Sequence, residues 1–196
     1  MNLPNKNILI VVDMQNDFID GALGTKEAQT IIPNVIKKIS EALENKDDII
    51  FTRETHYAYT YSTSEEGKNL PVPHCIEGSL GWMISDKITI SKPKNHSYTQ
   101  IFDKETFGSL DLANHLKNFY PLTYINSIQV IGLCTDICVI ANAIMAKSAL
   151  PNAHIIVDAS CCAGVSPQSH DNAIQTMKTL QIEILNHKKE PWRKKK

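Results

Sequence analysis

Ile8-Leu9-Ile10-Val11-Val12-Asp13 is the stretch that decides the fold. Its apolar run is continuous and β-branched rather than alternating, which is what a strand buried on both faces of a parallel sheet requires. Similar runs recur at Asp48–Thr52, Lys87–Ile90, Ile128–Leu133, His154–Val157 and Ile182–Leu185, with Gln100–Phe102 a short extension near the third. Between them, apolar residues at helical spacing predict helices over Ala28–Leu43, Leu110–Phe119, Asp136–Ala149 and Pro167–Leu180. Strand, helix, strand alternation along the chain predicts an α/β fold, a three-layer doubly wound sheet, mostly parallel, with helices on both faces. In such folds ligands bind beyond the carboxyl ends of the strands, so the side chains placed there carry the search for function.

The 196 residues suit one enzyme-sized domain, expected over residues 1–185. A tail follows, Asn186 to Lys196, crowded with Lys188, Lys189, Arg193, Lys194, Lys195 and Lys196, and it reads as solvated and dispensable. Twenty basic residues against 21 acidic ones give no field that would draw the protein to nucleic acid or a membrane surface, so its partners are expected to be small molecules. The polar start, Met1 to Lys6, leads directly into a run too short for a signal peptide or a span, which predicts a cytoplasmic protein. Five cysteines, an odd number, are expected to remain thiols there.

Four constellations carry chemistry. Asp13, immediately beyond the first strand, is either a carboxylate raised by burial into a general base or a turn cap. Within Gly132-Leu133-Cys134-Thr135-Asp136-Ile137-Cys138, Cys138 falls in the first turn of a helix, where free N–H groups and the helix dipole favour a thiolate and an oxyanion. Packing residues or a redox pair with Cys134 are the alternatives. Lys104, in Asp103-Lys104-Glu105-Thr106-Phe107-Gly108, is a surface lysine or a cation that activates a thiol and steadies an oxyanion. Finally, the long irregular segment Glu54–Ile84 holds Glu54, His56, Glu66 and His74, either solvated loop side chains or a set of ligands suited to zinc, iron or manganese.

These pieces, in this order, resemble the isochorismatase-like cysteine hydrolases, and within them the nicotinamidase and pyrazinamidase branch. The likeness runs from Ile8 to about Leu185 and is most specific at Val11-Val12-Asp13-Met14-Gln15-Asn16-Asp17-Phe18 and at Gly132 to Val139. The resemblance implies the isochorismatase-like hydrolase fold and a catalytic triad of Asp13, Lys104 and Cys138. It also implies an oxyanion hole from the N–H groups of Cys134 and Cys138, and a non-proline cis bond between Leu133 and Cys134. One divalent metal, zinc with iron and manganese as alternatives, is implied at Glu54, His56, Glu66 and His74, with no organic cofactor. Glu54 departs from the branch, which has aspartate there. Phe18 and Trp82 are expected to pack against the substrate ring, and a homo-oligomer is implied. The expected activity is hydrolysis of nicotinamide to nicotinate and ammonia through a thioester on Cys138. Another small amide or a carbamoyl compound is the alternative substrate, and a thiol redox protein or a silent oligomeric binding protein are the competing classes.

Overall fold

The computed structural model describes residues 6–88, 99–120 and 125–193. Six strands form a single sheet: β1 (Lys6–Val12), β2 (Asp48–Glu54), β3 (Thr99–Lys104), β4 (Ile125–Leu133), β5 (His154–Ala163) and β6 (Glu183–Leu185). Their order is β3-β2-β1-β4-β5-β6, and every pair is parallel. Ile10 of β1 lies opposite Ile50 of β2 and Val130 of β4. Because side chains alternate across a strand, Ile8, Ile10 and Val12 enter one core and Leu9 and Val11 the other, and all five are buried. A strand with two buried faces has no room for polar alternation, which accounts for the continuous apolar run.

Helices cover both faces, among them α1 (Asn16–Ile19), α2 (Lys26–Thr30), α3 (Ile32–Asn45), α4 (Glu65–Asn69), α5 (Leu110–Phe119), α6 (Ile140–Ala149) and α7 (Pro167–Thr179). Val35, Ile39, Ala42 and Leu43 of α3 close the core that holds Leu9 and Val11. Leu112 and Leu116 of α5, Ala143 and Ala146 of α6, and Ile174 and Met177 of α7 close the other. The helix expected over Ala28–Leu43 is broken at Ile31, because Pro33 lacks the N–H that a continuous helix needs and suits a first turn instead. The one expected over Asp136–Ala149 opens with a π-helical turn, Thr135–Val139, before α6 begins.

Two expectations need correction. Lys87–Ile90 does not supply the third strand: Asp86–Ile88 forms a 3-10 turn with Ile88 buried, and Thr89 and Ile90 lie outside the described residues. That strand is β3, which contains Gln100–Phe102; it is at the sheet edge, where Ile101 is exposed, so its apolar signal is weak. Residues 186–193 are not a solvated tail. Trp192 packs against the core and its Nε1 donates to the Cys162 carbonyl at 3.2 Å, while Glu190 is buried. Residues 194–196 lie outside the described residues. Among the described residues, no helix is long and apolar enough to cross a membrane.

The chain proceeds outward from β1 to β3 and then returns to place β4 on the other side of β1. This reversal opens a crevice beyond the carboxyl ends of β1 and β4. Gly132 makes the close approach possible there: its φ is +121°, and a Cβ would lie 2.1 Å from the Val12 carbonyl oxygen.

Candidate active site

Four neighbouring strand ends deliver the polar groups. Asp13 directly follows β1, Glu54 ends β2, Lys104 ends β3, and Cys138 sits in the π-helical turn after β4. All four are buried. Asp13 pairs with Lys104 at 2.7 Å through Oδ2, and its Oδ1 accepts from the Thr52 hydroxyl at 2.7 Å. The Cys138 thiol donates to Glu54 Oε2 at 3.7 Å, and that oxygen is 3.7 Å from Lys104 Nζ. Ligand atoms of Asp13, Glu54 and Cys138 all lie within 4.8 Å of one another.

Burial sets the charge states. It raises the Asp13 carboxyl above its usual range, an effect that the Lys104 charge opposes and Glu54 reinforces. For Lys104, burial opposes the charge, yet the negative groups around it, Asp13 foremost, prevail and hold the ammonium above its ordinary value. Burial also pushes the Cys138 thiol well up; Lys104 counteracts this while Asp13 and Glu54 add to it. The helix-terminus argument expected a thiolate, but enclosure beside two carboxylates outweighs it. A thiol in this state needs a base, and the raised Asp13 carboxyl is within reach.

Side chains absent from the sequence-based expectation hold this cluster together. Gln15, fully buried, donates to the Glu54 and Trp82 carbonyls at 2.8 Å each and accepts from the Glu54 N–H at 2.7 Å. Asp17 accepts from the Cys75 N–H at 2.7 Å, which ties the start of the chain to the loop carrying His74. Asn142 of α6 donates to the Cys138 carbonyl at 2.8 Å and accepts from the Ser109 N–H at 3.0 Å, linking the cysteine turn to the residues after Lys104. Polar residues clustered just after Asp13 were the available signal; Asn142, inside a helical pattern, offered none.

Glu54, His56, Glu66 and His74 converge, with one ligand atom from each inside a mutual 4.8 Å. His56 Nε2 is 3.3 Å from Glu54 Oε1 and 3.7 Å from Glu66 Oε1, which in turn is 3.4 Å from His74 Nε2. His74 Nδ1 lies 2.8 Å from the Val72 carbonyl, which fixes the ring so that Nε2 faces the group. Burial disfavours charge on His56, but the neighbouring Glu54 and Glu66 carboxylates lift it to about 9; burial likewise disfavours charge on Glu66, which the two histidines bring down to about 2. Glu54 Oε1 and His56 Nε2 are fully enclosed yet make no hydrogen bond. Two imidazoles and two carboxylates with orphaned buried atoms fit a divalent cation.

A cavity of about 490 Å³ adjoins both groups. Cys138 and Glu66 reach it, and Tyr57, Tyr61, Phe107 and Ile137 give it aromatic and apolar walls. Phe18 and Trp82, expected to pack against a substrate ring, are not among its lining residues. Phe18 instead meets the His74 ring edge-on at 5.7 Å, and Trp82 donates from Nε1 to the Thr55 hydroxyl at 2.8 Å beneath the Arg53 guanidinium. Both brace the site from behind. The Leu133–Cys134 peptide is cis. All five cysteines are free thiols, and burial pushes Cys134 up to about 12, a poor partner for thiol exchange.

An acid, a lysine and a cysteine thus meet in one buried cluster beside an aromatic cavity. Residues 7–189 match the isochorismatase domain family, and the chain belongs to that family. It is 26% identical to a nicotinamidase of Schizosaccharomyces pombe, covering 92% of this chain and 93% of that protein. A probable inactive nicotinamidase of Arabidopsis thaliana is 27% identical, with 89% of each chain covered. Among solved structures, the pyrazinamidase of Pyrococcus horikoshii in complex with zinc is 28% identical, covers 92% of this chain and 98% of its own, and superposes with a TM-score of 0.73. The protein is thus an amidohydrolase, acting on carbon–nitrogen bonds.

Proposed function

We propose that the protein is a nicotinamidase that works through a thioester on Cys138. The observation that carries this reading is the buried cluster of Asp13, Lys104 and Cys138, which reaches an aromatic cavity through Cys138, with the four-residue ligand group lining the same cavity. Asp13 takes the thiol proton, and Cys138 Sγ attacks the amide carbon. The N–H groups of Cys134 and Cys138 hold the resulting oxyanion, with Lys104 keeping the surrounding charge in balance; loss of one such donor costs about a hundredfold or more in rate. The carbon–nitrogen bond breaks as Asp13 returns its proton to the leaving ammonia. Asp13 then takes a proton from water, the hydroxide attacks the thioester, and as the carbon–sulfur bond breaks Asp13 returns that proton to Cys138 Sγ, releasing the acid, which ionises to nicotinate.

Glu54, His56, Glu66 and His74 would hold one divalent ion, zinc with iron and manganese as alternatives, whose chemistry there is Lewis-acid binding of a ring nitrogen. The zinc complex of the Pyrococcus horikoshii pyrazinamidase supports this assignment. Tyr57, Tyr61 and Phe107 supply ring contacts. Glu54 favours a second reading, a related hydrolase of another small amide or a carbamoyl compound, since one of its oxygens is turned to Cys138 rather than to the ligand group. Ammonia release from nicotinamide and from small carbamoyl compounds, before and after chelation, separates the two. Turnover of nicotinamide that falls on chelation is expected; chelation-insensitive turnover of a carbamoyl compound alone would overturn the proposal.

A further inference from the structure

On the side of the cysteine turn away from the cavity, a buried polar chain reaches it from the residues expected to be a loose tail. Thr135, between Cys134 and Cys138 in the π-helical turn, is fully buried, and its hydroxyl is 2.8 Å from His170 Nδ1. His170 of α7 is also fully buried, with Nε2 3.2 Å from Glu190 Oε1. The same Glu190 oxygen accepts from the Lys188 N–H at 3.1 Å, and Arg193 pairs with its carboxylate. An ionised carboxylate only accepts, so His170 Nε2 carries a proton toward Glu190, while Nδ1 on the other side of the ring meets the Thr135 hydroxyl. Trp192 closes the arrangement, its ring edge-on to His170 at 5.1 Å. The loop between β5 and α7 is drawn against the same turn, where Asp136 Oδ1 accepts from the Val165 N–H at 3.1 Å.

Enclosing three polar side chains is costly unless every bond is made, and a packed apolar set would serve stability as well. What the polar chain adds is direction: Thr135 is held at one point, with Cys134 immediately before it and Cys138 one turn beyond. We propose that Thr135, His170 and Glu190 form a positioning relay through which residues 186–193 set the orientation of the turn that presents Cys138 and the two oxyanion N–H groups. The proposal rests on the reading of Cys138 as nucleophile and is independent of nicotinamide as substrate.

Alkylation of Cys138 by iodoacetamide, followed site by site by peptide mass spectrometry, tests the relay without any amide. Thr135→Val is expected to slow it about fivefold or more and to lower kcat for nicotinamide about tenfold, with KM within about twofold of wild type. Thr135→Ser, which keeps the hydroxyl, should restore both. Glu190→Ala should repeat the loss and Glu190→Gln, which keeps an acceptor, should largely spare it, so the test survives if Thr135→Val fails to fold. Asp171→Asn weakens the ion pairs that hold the same segment from outside, to Lys188 and Arg193, while keeping the Thr135, His170 and Glu190 side chains and the Arg193–Glu190 pair. At a comparable loss in Tm it should alkylate at the wild-type rate. Wild-type alkylation in Thr135→Val and Glu190→Ala, or an equal loss in Asp171→Asn, would overturn the relay. If wild type releases no ammonia from nicotinamide, the substrate reading fails while the alkylation series still decides this one.

Discussion

The two halves of the site are built differently. Asp13, Lys104 and Cys138 come from strand ends and the helical turn that follows β4, and all three are buried. His56, Glu66 and His74 come from the irregular chain after β2, where Glu66 is only half-buried and α4 is a helix of five residues. Rigid elements position side chains more tightly than loops do, so the first half is the more fixed of the two and the second the freer to vary. Glu54 belongs to both. One of its oxygens faces His56 and the other faces Cys138 and Lys104, so the longer side chain at this position joins what would otherwise be separate groups.

That division can be broken experimentally. The largest effect is expected for Cys138→Ala, which should reduce amide hydrolysis at least about 10⁴-fold while leaving stability within about 1 kcal/mol and metal content by elemental analysis unchanged. Retained turnover would remove Cys138 from the role of nucleophile. Next comes His74→Ala, expected to lose bound metal and at least about tenfold in nicotinamide turnover, with the alkylation rate of Cys138 within about twofold of wild type. An equal fall in alkylation would mean that the halves are not separable. The smallest effect is expected for Glu54→Asp, which withdraws a carboxylate from the thiol. Cys138 alkylation should rise about two- to fivefold, because a like charge near a thiolate holds its pKa up. No change would show that the Glu54 oxygen does not bear on the thiol.

How far the sequence could be read follows the same line. The central strands announced themselves because burial on two faces leaves only apolar residues, and Asp13 and Cys138 stand just past two such runs. Edge strand β3 was blurred, since one exposed side removes the constraint. The loop ligands could be proposed by residue type, but Tyr57, Tyr61 and Phe107 as cavity walls could not, because nothing periodic marks which loop side chains turn inward. Residues 186–193 were misread because their lysines dominated the pattern, whereas the single Trp192 and the buried Glu190 determine how the segment packs.

The strand order has a consequence for synthesis. Three of the polar strand ends lie within the first 104 residues, yet the cysteine arrives only with β4, which must enter beside β1 after more than a hundred intervening residues. Such distant pairing is slow to form. The acid, the lysine and the ligand loop are all synthesised before the thiol that completes the site.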